Sequence, residues 1–261
     1  MPVINDMGIS EITPIKQEHF RMIIKTHLRI ARGVIHNWQQ KGWRVDPSYH
    51  YFDITAGAGK DGHGNIGSPL IFLEEVQQVD IPFKAIFIEQ NSENIKKLQC
   101  DCHAFREHIQ LVCGNHSEIL PGLFSRSKIR QFGLLYVDPN GVFDVDVLKV
   151  FSQQYCYDKI DILINCNGTA IKRERESSTC SDNRTLEDRL REINKKYWIV
   201  REPYGKAQWS FLLGTQWDAF PEFKNIHFYK LSSTKGKAFF DKVNFTTKER
   251  SQQSQYTLFT V

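Results

Sequence analysis

Three groups of residues in this chain have types and spacing suited to chemistry. Gly57 and Gly59 lie in the run Asp53-Ile54-Thr55-Ala56-Gly57-Ala58-Gly59, directly after the apolar Tyr51 and Phe52. Glycine tolerates positive φ and lets a ligand approach where a Cβ would block it. Glu89 ends the apolar run 85–89. An acid at that place in a nucleotide-binding α/β unit accepts hydrogen bonds from ribose hydroxyls. Asp138 ends a third apolar run, 132–137, and opens Asp138-Pro139-Asn140-Gly141. Each group also has a plainer reading. The glycines suit any strand–helix connection, Glu89 suits a solvated strand end, and Asp-Pro-Asn-Gly favours a β-turn on its own.

The elements that must position these residues are legible from hydrophobic pattern. Strands are expected at 51–54, 83–89, 108–113, 132–137, 160–166, 209–214, 226–231 and 256–261. Helices are expected at 17–40, 69–76, 92–105 and 142–155, with a charged helix from 185 to about 196. Strands alternating with helices of ten to fifteen residues imply a parallel sheet. Right-handed crossovers then put the three chemical groups on one edge of it.

In that order, the glycine loop, the acid and the Asp-Pro turn resemble motifs I, II and IV of class I S-adenosylmethionine-dependent methyltransferases. The Ala-Gly-Ala-Gly turn followed by Gly67-Ser68-Pro69-Leu70 is most similar to the three-Cys-motif partner proteins. It is also similar to the bacterial large-subunit ribosomal RNA adenine-N6 methyltransferases of the RlmJ type. The resemblance spans roughly 49–168. It implies a Rossmann-like α/β fold: a mainly parallel seven-stranded sheet, helices on both faces and a C-terminal antiparallel hairpin. It also implies S-adenosylmethionine as cofactor, held by Asp53, Thr55, Ala56, Gly57, Gly59 and Glu89. Asn115 would stand where an adenine-binding Asp is usual. Asp138 and Pro139 become catalytic, accepting hydrogen bonds from an exocyclic amine. Asn140 departs from the family's aromatic, so Phe143 is the alternative stacking group. Asn140, Phe143, Lys172 and Arg173 are the expected substrate contacts.

Composition sets the limits. With 261 residues and 41% hydrophobic content, the chain suits one domain with a decoration. The division expected is a basic helical extension over 1–48 and a catalytic domain over 49–261, with a polar insertion around 169–200. The apolar runs are too short to span a bilayer and the N-terminus lacks a signal pattern, so a cytoplasmic protein is expected. The six cysteines form no C-x-x-C pair, and reduced thiols rather than a metal site are expected. Net charge is +4. The helix 17–40 carries His19, Arg21, Lys25, His27, Arg29, Arg32 and His36 opposite an apolar stripe, which is either a solvated face or a phosphate-contacting one. The partners expected are nucleic acid, RNA or DNA, and a second protein. The function expected is adenine-N6 methylation. The alternatives are a non-catalytic cofactor-binding subunit, or methylation of a protein or small molecule.

Overall fold

The computed structural model describes residues 13–123, 129–139, 141–176, 184–203, 209–245 and 249–250. Two compact units are distinguished, one of residues 1–136 and 155–160, the other of residues 137–154 and 161–261.

The first unit contains α1 (Thr13–Gln40), β1 (Val45–Asp53), α2 (Ser68–Val79) and β2 (Phe83–Glu89), followed by α3 (Ser92–Asp101), β3 (Ile109–Cys113), α4 (His116–Gly122) and β4 (Arg130–Val137). Its strand order is β3-β2-β1-β4, and every pairing is parallel. In α1 the apolar stripe Phe20, Ile23, Ile24, Leu28, Ala31 and Ile35 is buried, so helical periodicity decides which face meets α2 and β1. Two histidines expected on the basic face are buried instead. His27 Nδ1 pairs with the Tyr49 hydroxyl at 2.8 Å, giving an imidazole a partner inside the core, and His19 is also buried. The helix ends where Gly42 takes φ +69°. Tyr51 lies nearly parallel to Phe72 of α2, with ring centroids 4.0 Å apart, fixing α2 over β1.

The second unit contains α5 (Val145–Ser152), β5 (Ile160–Asn167), α6 (Gly168–Glu176) and α7 (Leu186–Glu192), then β6 (Tyr197–Arg201), β7 (Trp209–Thr215), α8 (Phe220–Phe223), β8 (Phe228–Lys230) and α9 (Thr234–Asn244). Its strand order is β5-β7-β6-β8, with every one of these pairings antiparallel. The fold is α/β and Rossmann-like, with the antiparallel C-terminal strands expected. Eight strands are described rather than seven. The extra one is β6, whose Tyr-Trp-Ile-Val pattern follows a charged helix closely and escapes a period-2 reading. Helix α9 was likewise not expected. The polar stretch beyond 168 opens as helix α6, not as a loop. Asn167 Oδ1 starts it by accepting the Thr169 and Ala170 N–H groups. The Thr185/Asp188 capping box fixes α7. The strand expected at 256–261 lies outside the described residues, as do Asn140 and Tyr204. Among the described residues, no helix is long and apolar enough to cross a membrane.

Candidate active site

The turn after β1 is built by hydrogen bonds that its sequence dictates. Asp53 is 0% exposed, and its carboxylate accepts from Ser68 Oγ at 2.6 Å, from the Thr55 N–H at 3.2 Å and from the Tyr51 hydroxyl at 3.3 Å. A buried carboxylate is tolerable only when so satisfied. Burial and the Asp53 charge together push the Tyr51 phenol well above its ordinary pKa, so Tyr51 stays a donor. The link to Ser68 joins the end of β1 to the first residue of α2. Ala56 N–H donates to the Ile88 carbonyl and Ile54 N–H to that of Tyr136, seating the turn on β2 and β4.

Gly57 takes φ +68°, and a Cβ built on it would meet none of the described residues within 4 Å. Its N–H donates to Glu89 Oε2 at 2.9 Å, while Glu89 Oε1 accepts from the Asn91 N–H at 2.8 Å. Gly59 takes φ +83°, and its Cβ would press into Leu98 at 2.9 Å. The two glycines therefore serve different ends: Gly57 faces open space and Gly59 allows close packing on α3. From Lys60 the loop folds on itself. Gly67 N–H returns to the Gly59 carbonyl at 2.7 Å, and Asp61 accepts from the backbone of His63 and Asn65 and from the Asn65 side chain. These bonds account for the delay before α2 begins.

A cavity of about 730 Å³ adjoins the turn, with Ala56, Gly57, Gly59, Gln17, Asn94 and Lys97 among its walls. Glu89 and Asn115 do not line it. Asn115 caps α4, its side-chain carbonyl accepting the Ser117 N–H at 3.0 Å.

In the second unit, Asp138 Oδ1 accepts from Asn165 Nδ2 at 2.6 Å. Sequence reading placed Asn165 in a strand but gave it no role. The available signal was an amide within an otherwise apolar strand, since buried polar groups are more informative than buried apolar ones. Asn165 is 8% exposed, and among the described residues its Oδ1 has no hydrogen-bond partner. Phe143 is 4% exposed, packed away rather than presented for stacking. Lys172 and Arg173 sit on α6, the first half-buried and the second exposed. Trp198 of β6 covers Gly214 of β7, whose added Cβ would fall 2.6 Å from the indole.

No family model and no curated protein matches the chain. Solved structures do resemble it. A methyltransferase from Geobacter sulfurreducens is 12% identical, with 70% of this chain and 86% of that one covered and a TM-score of 0.41. The fibrillarin pre-rRNA processing protein of Methanococcus jannaschii is 12% identical over 66% and 68%, TM-score 0.42. A Streptococcus mutans protein solved in complex with SAH is 9% identical over 78% and 97%, TM-score 0.41. These likenesses are of backbone alone. At such scores, function has to be argued from the residues.

Proposed function

We propose that this chain is an S-adenosylmethionine-dependent methyltransferase acting on adenine N6 in nucleic acid. The observation carrying the reading is the Gly57–Glu89 pair. A glycine at positive φ, open on its Cα side, is tied to an acid at the end of the adjacent strand. Such a turn admits a nucleoside, and the carboxylate has the acceptor capacity for ribose hydroxyls. Asp53 contributes indirectly by holding the turn to α2 through Ser68. When bound, S-adenosylmethionine supplies an electrophilic methyl group on its sulfonium.

The chain's own residues would then position the nucleophile. Asp138 and the Pro139 carbonyl accept the two N–H bonds of an exocyclic amine, directing the nitrogen lone pair at the methyl carbon. Asn165 is a positioning residue, fixing the Asp138 carboxylate through its 2.6 Å hydrogen bond. Orientation of this kind supplies several kcal/mol of catalysis without covalent chemistry. Lys172 and Arg173 on α6 would supply positive charge for a substrate phosphate.

A second reading, a cofactor-binding partner subunit without catalysis, is favoured by Phe143. With that ring buried and Asn140-Gly141 replacing the family's aromatic, no stacking group is provided near Asp138 in sequence. Incubation with labelled cofactor and a mixed RNA and DNA pool, followed by nucleoside analysis, separates the two. Label in N6-methyladenine that disappears in Asp138→Ala supports catalysis. Cofactor binding with no transfer supports the partner subunit.

A further inference from the structure

The α1–α2 contact of the first unit contains a cavity of about 330 Å³ unrelated to the glycine turn. Its walls are Lys25, Arg29 and Arg32 of α1 and Glu75, Gln78 and Val79 of α2. Steps of four and three residues put the three cations on one stripe of α1, where like charges repel unless something neutralises them. The acids of α2 do not do so. Glu74 and Glu75 are taken by Arg21 at 2.6 and 2.8 Å, one turn before Lys25. Arg32 has a structural partner, the Val79 carbonyl at the end of α2, at 3.1 Å. That bond explains Arg32 but not its neighbours: among the described residues neither Lys25 nor Arg29 has an ion-pair partner. Glu75, 2% exposed, keeps a second oxygen, Oε2, with no hydrogen-bond donor among the described residues.

We propose that this cavity binds the phosphate–ribose unit of a nucleotide, either free or within an RNA strand. Lys25 and Arg29 neutralise the phosphate, the Gln78 amide can donate to one of its oxygens, and Glu75 Oε2 accepts a ribose hydroxyl. A pure anion would satisfy the cations and leave the buried oxygen unmet, whereas a unit carrying both an anion and an O–H satisfies both. Gln78 and Val79 lie at the end of α2 opposite Ser68, so the site is separate from the proposed cofactor turn. It stands whether or not that reading does.

The test uses the full chain and the charge reversal Lys25→Glu/Arg29→Glu, at positions where neither side chain is buried. Binding of inorganic phosphate, adenosine monophosphate and a short single-stranded RNA is measured by calorimetry and fluorescence anisotropy across a salt series. The double variant weakens the bound probe at least about tenfold. For RNA it also flattens the dependence of log K on log salt by roughly 1.4, as expected for two lost phosphate contacts on a single strand. Loss of mononucleotide binding identifies a free-nucleotide pocket, and loss of RNA binding alone identifies strand docking; either supports the site. Unchanged affinity in the double variant, no binding of any probe to the native chain, or an equal loss in the exposed control Arg44→Glu overturns it. Equal affinity for a DNA strand of the same sequence overturns the ribose contact. Melting temperature and S-adenosylmethionine affinity are followed in parallel and remain at native values.

Discussion

The Gly57 N–H and the Glu89 carboxylate are 2.9 Å apart, so the turn after β1 and the end of β2 are held as one object. A charge-assisted hydrogen bond of this kind contributes about 1.5–3 kcal/mol when neither partner has an alternative. Glu89→Ala is therefore expected to lower S-adenosylmethionine affinity at least tenfold and stability by about 1–2 kcal/mol. Calorimetric titration with the cofactor and urea unfolding measure the two effects separately. Native affinity in the variant would remove Glu89 from the site.

Asn165→Ala deletes the donor to Asp138 Oδ1 while leaving the first unit untouched. If Asp138 orients an amine, turnover falls by about one to two orders of magnitude with cofactor affinity unchanged. Single-turnover kinetics with the nucleic-acid substrate measure this. An equal loss of turnover and cofactor affinity would mean that the amide is merely structural.

Gly133 of β4 faces His50 of β1, and a Cβ added there falls on the His50 carbonyl, a backbone atom that cannot swing aside. Gly133→Ala is expected to destabilise the protein by about 3 kcal/mol, at the upper end for overpacking. Gly214→Ala meets the Trp198 ring instead, which can shift, and a smaller loss is expected. Midpoints of chemical denaturation rank the two.

Asp46 reports on acid stability. Its partial burial would raise the pKa. That effect is outweighed by hydrogen bonds from Lys84 and the Ser48 N–H and by the charges of His50 and Lys84, which draw it down from 3.8 to about 2. Because the folded value is depressed, its contribution is complete above about pH 4 and disappears as the pH falls toward 2. Carbon-detected titration of the Asp46 carboxyl should give a midpoint near 2 in the native chain and a higher one in Lys84→Ala.

The thiols differ in accessibility. Burial pushes Cys166 up to about 12, and burial with the neighbouring Asp101 charge does the same for Cys102. Cys100 and Cys113 are exposed. Since the thiolate is the reactive form, brief alkylation at neutral pH is expected to label Cys100 and Cys113 and spare the other two until unfolding, as read by peptide mass spectrometry.

Local pattern carried most of the first unit. The stripe of α1, the strands ending at Asp53 and Glu89 and the Pro-initiated α2 all follow from periodicity and terminal residues. Partnerships across long sequence separation were not legible. Nothing local shows that Glu74 and Glu75 would take Arg21, or that Tyr49 would draw His27 inside. Asn165 was hidden similarly: its donor role depends on a residue 27 positions earlier. β6 was missed because its pairing with β7 and β8, rather than its own alternation, stabilises it.

The Gly59–Gly67 hydrogen bond has a consequence for change over time. Because both ends of the intervening segment already meet, and Asp61 and Asn65 knot its middle, residues 60–66 form a detachable cassette on the framework. Such a segment can lengthen, shrink or acquire new chemistry while β1 and α2 keep their places. Novelty in this protein would therefore be tolerated there at the least cost to folding.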